Sequence, residues 1–201
     1  MRYTNKQEIA QELWQEIEAA YSQPERHFHN LAHLSQLFEV LSSYQHMLED
    51  WDTLAFAVFY HDIVYDVVNY VTENTNEDRS ADKAEQSLLQ ISYPSEKISR
   101  CKQHILATKK HEQSEDSDTN FLIDADLSIL GQPWNVYEVY MKNIRKEYDI
   151  YPDPIFRAGR TKALEHFLQL PQLFKTDAFQ QGYGAVAKEN LNHELEILSF
   201  A

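Results

Sequence analysis

The sequence predicts an all-α fold, and three observations carry that expectation. Apolar residues recur at spacings of three and four along most of the chain, the period of a helix face. Glycine is scarce, with 4 in 201 residues, so few positions are set aside for tight turns. The 6 prolines sit at the boundaries of the periodic segments. The length suits one domain with a substantial core, and no repeat, low-complexity tract or long linker divides it.

Each helix has its own signal. Residues 5–21 place Ile9, Leu13, Ile17 and Ala20 on one face, with Glu and Gln between them. Residues 30–47 repeat the pattern with Leu34, Leu37, Phe38 and Leu41. Residues 51–65 are apolar on nearly every side, which predicts a buried helix. Residues 66–76 are rich in Val, Asn and Thr. Their Val67-Val68 and Tyr70-Val71 pairs suit a short strand, but the helical context favours a loop. A helix is expected over 77–91. Tyr93-Pro94-Ser95 then stops it and restarts another, with Ser95 as N-cap, running to His111. Residues 112–120 are polar and read as an exposed loop. Residues 121–130 are apolar apart from Asp124, Asp126 and Ser128, and end at Gly131. Helices over 134–148, 153–170 and 185–198 complete one domain spanning 1–201. Its site core covers about 26–131, and the helices of 134–199 are expected to pack on it.

The formal net charge is −14, which disfavours nucleic-acid backbones and anionic membranes as partners. It leaves a small phosphorylated substrate open, because a bound dication reverses the local field. No apolar run approaches the roughly 20 residues of a membrane span. The lone Cys101 excludes a disulfide framework within the chain. Residues 1–8 carry no apolar signal core, so a cytoplasmic location is expected. An apolar patch on the first helix leaves a homodimer open.

The chemistry is concentrated in the pair His61-Asp62, set in the apolar run 55–65. Burying an imidazole and a carboxylate costs several kcal/mol unless something pairs with them. A divalent metal is such a partner. Further ligand candidates are His33 and Asp126, so the set of four comes from three helical segments that a bundle can bring together. Two imidazoles and two carboxylates suit Mn, Fe, Co, Ni or Zn, and one ion is expected rather than two. Four protein ligands leave positions open for water and substrate.

His33 … His61-Asp62 … Asp126, carried on helices, resembles the signature of the HD superfamily of metal-dependent phosphohydrolases. The flanking words are similar to those of a small branch of predicted hydrolases within it. They are Arg26-His27-Phe28-His29-Asn30-Leu31-Ala32-His33, Tyr60-His61-Asp62-Ile63-Val64-Tyr65-Asp66, Asn76-Glu77-Asp78-Arg79-Ser80-Ala81, Leu122 through Gly131, and Ile144-Arg145-Lys146-Glu147-Tyr148. Gly159-Arg160 and Asn190-Leu191-Asn192-His193-Glu194-Leu195 also fit, so the likeness covers nearly the whole chain. The resemblance implies that His33, His61, Asp62 and Asp126 hold the metal. It also implies that a metal-activated water attacks a phosphoester or phosphoanhydride of a small molecule, expected to be a nucleotide.

Around that set, Glu77 is expected to orient or deprotonate the water and Arg79 to grip a phosphoryl oxygen, with Ser80 beside them. The competing reading makes Asn76 an N-cap and Glu77 a partner of the helix dipole. His29, one helical turn before His33, is expected to contact substrate or support a ligand. His104 and His111 are seven positions apart, about 10 Å along a helix, too far to share one ion directly. His111, with Lys109, is a candidate phosphate contact, against the plainer reading of solvated helix-end cations. Asp124 is expected to hold a ligand histidine or cap its segment. Arg145 and Arg160 either line a phosphate pocket or pair with Glu147 or Glu194. Two other functions stay open at this stage: a non-catalytic metal- or nucleotide-binding sensor, and a di-iron oxygenase, which needs more ligands than the residues supply.

Overall fold

Nine α-helices make up most of the described backbone, and no strand occurs among the described residues. A computed structural model of the chain describes residues 7–68 and 75–200. The helices are α1 (Gln7–Tyr21), α2 (Leu31–Ser43), α3 (Trp51–Tyr60), α4 (Asn76–Gln90), α5 (Ser95–Ala107), α6 (Ser117–Leu127), α7 (Trp134–Glu147), α8 (Asp153–Gln169) and α9 (Asp177–Phe200). Short 3-10 turns cover Gln45–Met47 and Ser128–Gly131. Contacts cluster into two compact units, one ending at Leu122 and the other beginning at Ile123. The all-α expectation therefore holds.

In the first unit α3 packs against α2, α4 and α5. Its Leu54, Ala57 and Val58 are completely buried, as its uniformly apolar sequence requires. Asp50 caps its start, accepting from the Thr53 N–H at 3.3 Å. The helix stops at Tyr60, five residues short of the expected end, because the carbonyls that follow bond to a side chain instead of the next turn. The start of α6 departs the other way. It begins at Ser117, inside the stretch expected to be an exposed loop. Asp118, Thr119 and Asn120 are buried because their side chains serve other groups. The Asp118 carboxylate accepts the N–H groups of Glu49 and Asp50, both at 2.9 Å. Asn120 bonds the Ser114 N–H and C=O at 2.9 and 2.8 Å.

Thr75, rather than Asn76, caps α4 through a reciprocal box with Asp78. Ser95 is the first residue of α5 and makes no side-chain cap; Pro94 takes the cap position. Residues 66–68 are irregular backbone, whereas Tyr70-Val71 and the expected start of α1 at residue 5 lie outside the described residues.

In the second unit α9 packs on α8 and on the Ser128–Gly131 turn. It starts at Asp177, eight residues earlier than expected, because Gly182 and Gly184 weaken the helical signal there. Packing against the 3-10 turn is close. A Cβ on Gly131 would lie 2.5 Å from the Tyr183 Cβ and 2.8 Å from its carbonyl oxygen. Gly131→Ala is therefore expected to lower stability by about 1–3 kcal/mol. A urea midpoint equal to wild type would refute that close approach.

Candidate metal centre

His33, His61 and Asp62 converge inside the first unit, with one ligand atom from each within 4.8 Å of the others. Local sequence places each. Asn30 caps α2, its side chain accepting the Ala32 N–H at 2.9 Å, so His33 falls in the first turn, 4% exposed. His61 is the C-cap of α3 and is 1% exposed, and Asp62 follows on the turn that leaves the helix. Both side chains of the pair reach the same place although His61 keeps right-handed helical backbone angles.

The His61 tautomer follows from its contacts. Its Nδ1 lies 2.9 Å from the Val58 carbonyl, which can only accept, so Nδ1 carries the proton and Nε2 presents a lone pair. That Nε2 is 3.3 Å from the His33 Nε2 and 3.3 Å from an Asp62 carboxylate oxygen. Two nitrogens at 2.0–2.1 Å from a tetrahedral metal stand about 3.3 Å apart, so the spacing matches a shared ion. The donors also fit chemically, since a backbone carbonyl orienting a ligand histidine is a usual feature of such sites.

His29 borders the group. Its Nε2 is 3.9 Å from the Asp62 carboxylate, and its ring stacks on Tyr65 at 4.3 Å between centroids. Phe28 packs against the His33 ring at 4.9 Å. Asp126 lies on the part of α6 that belongs to the second unit, partly buried.

The remaining candidates divide. Glu77 is partly exposed in the first turn of α4. Arg79 donates to the Asn76 side chain, stands 3.9 Å from Asp66 and keeps a buried Nε without a hydrogen-bond partner. Ser80 is completely buried, and its hydroxyl bonds the Val64 N–H at 3.1 Å and the Val64 carbonyl at 3.4 Å. That hydroxyl braces the loop behind His61-Asp62, and its one donor is spent on the Val64 carbonyl rather than left for a phosphate. Asn76 braces the same loop through both backbone groups of Asp66, each at 3.2 Å. Lys109 pairs with Asp78 at 3.3 Å, a partner that neither of its two readings named. α5 stops at Ala107, four residues short of the expected end, and His111 lies beyond it in a left-handed backbone conformation, φ 52°, its N–H bonded to the Ala107 carbonyl at 3.1 Å.

Arg145 is absorbed by structure. It bonds Asp153 at 2.7 Å and the carbonyls of Tyr148 and Tyr151, so its acidic partner is Asp153 rather than Glu147. Asp124 caps rather than supporting a histidine, accepting the backbone N–H groups of Lys175 and Thr176 at 2.6 and 2.8 Å. Burial pushes its carboxyl up to about 6, against the pull of those donors. Burial likewise pushes the Cys101 thiol up to about 12, which removes it as a nucleophile at neutral pH.

Sequence reasoning missed Tyr21 and Arg26 as parts of this centre. The Tyr21 hydroxyl accepts the Asp62 N–H at 3.2 Å, and Arg26 bonds the Asp62 carbonyl at 2.7 Å. The only trace of Arg26 in the sequence is its place at the head of the word that ends in His33. Comparison with protein-family models, with curated proteins and with solved structures produced no match.

Proposed function

We propose that the chain is a metal-dependent phosphohydrolase acting on a small phosphorylated molecule, a nucleotide being the expected class. The observation that carries this reading is the convergence of His33, His61 and Asp62, with the Nε2 lone pair of His61 fixed toward its neighbours. A divalent ion held there would act as a Lewis acid on a phosphoryl oxygen and on the attacking water. The chain's own residues then have defined tasks. Asp62 and the two imidazoles would hold the ion, Glu77 orients the water, and Arg79, a third exposed, offers the accessible end of its guanidinium to a phosphoryl oxygen.

The test combines metal titration with turnover of phosphomonoester, phosphodiester and pyrophosphate substrates in Mn, Co or Ni. Asp62→Ala is expected to keep its helical circular dichroism. Its metal affinity and turnover should fall by more than the roughly 10–100-fold that loss of an outer partner costs. Full activity in Asp62→Ala ends the proposal. Tight nucleotide binding without product across the whole panel would assign a sensor instead.

A further inference from the structure

We propose that Arg26 positions the metal ligands, acting through the backbone and never touching the ion. The proposal rests on the metal reading of His33, His61 and Asp62. Arg26 lies in the non-helical segment between α1 and α2, yet it is only 6% exposed. Burial of a guanidinium requires its donors to be used, and they are. Nη1 donates to the Asp62 carbonyl at 2.7 Å and the His29 carbonyl at 3.2 Å. Nη2 donates to the Ile63 carbonyl at 3.0 Å, and Nε to the Gln23 side-chain oxygen at 3.3 Å. The rings of Tyr21 and Tyr65 flank the cation at 4.9 and 5.4 Å.

This arrangement does two things at once. Beyond Tyr60 the carbonyls at the end of α3 have no next turn to bond to, and a helix C-terminus favours a cation. Arg26 satisfies two of these carbonyls with one rigid fork. Asp62 is then held on both sides, its C=O by Arg26 and its N–H by Tyr21, which fixes where its carboxylate points. The same guanidinium grips the backbone of His29, one turn before His33. A single side chain thus sets the register between the segment that brings His33 and the turn that brings His61 and Asp62. Lysine cannot substitute fully, because an ammonium is a point charge without the planar fork.

The experiment measures Co²⁺ and Mn²⁺ affinity calorimetrically, together with the visible absorption of bound Co²⁺, which reports ligand geometry. Wild type is compared with Arg26→Gln, Arg26→Lys and a control, Asp118→Asn. The control weakens the anchoring of the opposite end of α3, at Glu49 and Asp50. Arg26→Gln is expected to weaken binding 10–100-fold and to alter the Co²⁺ spectrum. Arg26→Lys should recover part of the affinity. Asp118→Asn should keep the wild-type affinity and spectrum although its urea midpoint falls. If Arg26→Gln does not fold, Arg26→Lys carries the test with a smaller loss of affinity. Wild-type affinity and spectrum in every folded Arg26 variant would overturn the positioning role. So would a loss in Asp118→Asn as large as in Arg26→Gln, since the effect would then be general destabilisation. A wild-type protein that binds neither ion overturns the metal reading, and the positioning role with it, before any variant is made.

Discussion

Arg160→Met is expected to lower stability by about 3–5 kcal/mol, which is the usual cost of leaving a buried charge without its partner. Glu194 on α9 is 2% exposed, and its carboxylate takes both arms of Arg160 on α8, at 2.7 and 2.9 Å. The Tyr137 hydroxyl donates to the same carboxylate at 2.5 Å, and Arg160 donates to the Tyr140 hydroxyl at 3.2 Å. Burial, followed by the charge of Glu194, pushes the Tyr137 phenol far above its usual range, so it acts as a fixed donor. Three helices, α7, α8 and α9, therefore meet on one carboxylate. Removing the guanidinium leaves a buried carboxylate with the Tyr137 hydroxyl as donor and no opposite charge beside it. Removing both charges in Arg160→Met/Glu194→Leu should restore much of the loss, since a buried pair gains little over an apolar one. Urea denaturation of both single variants and the double variant closes the cycle. Additive losses with no coupling would show that the pair does not act as a unit.

The same pair shows what kind of contact can be read from sequence. Arg160 and Glu194 are of opposite charge in otherwise periodic helices, so a pairing between them was one of two readings, and it is the one the second unit adopts. His61-Asp62 was legible for a related reason: two polar groups in an apolar run need partners, and they find them in His33 and each other. The contacts that escaped are those made to the backbone. Asp118 and Asn120 look like loop residues because nothing in a sequence marks the Glu49, Asp50 and Ser114 peptide groups that they satisfy. Arg26 escaped in the same way, since three of its hydrogen bonds end on backbone carbonyls. Asp124 had two readings, and it took the one that ends on backbone N–H groups. Helix limits failed where side chains override the period, at Tyr60 and Ser117, and where glycines obscured it, ahead of residue 185.

His104 is expected to make the first unit acid-sensitive, with a loss of roughly 3 kcal/mol on going from neutral pH to pH 4. The ring is completely buried on α5. Its Nδ1 is 2.7 Å from the Thr119 hydroxyl, and its Nε2 has no hydrogen-bond partner, so in the doubly protonated ring one N–H has nothing to receive it. Burial lowers its pKa to about 4 from the ordinary value of 6.5. Asp116, Asp118 and Asp50 pull the other way, but Arg100 already pairs with the first two and opposes the proton itself. Between pH 6.5 and 4 the unfolded chain binds this proton and the folded chain does not. Stability therefore rises with pH across that window, is complete above 6.5, and is lost as pH falls toward 4. Asp124 works oppositely. Its carboxyl is raised to about 6, so the folded chain holds the extra proton and acid stabilises the second unit. A comparison of wild type with His104→Gln by urea denaturation at pH 7, 5 and 4 cancels that contribution and isolates the imidazole. The variant should lose less stability than wild type on acidification, by about 3 kcal/mol at pH 4. Parallel curves for the two proteins would mean that His104 takes up its proton while still folded, and the orphaned Nε2 would then have no energetic consequence.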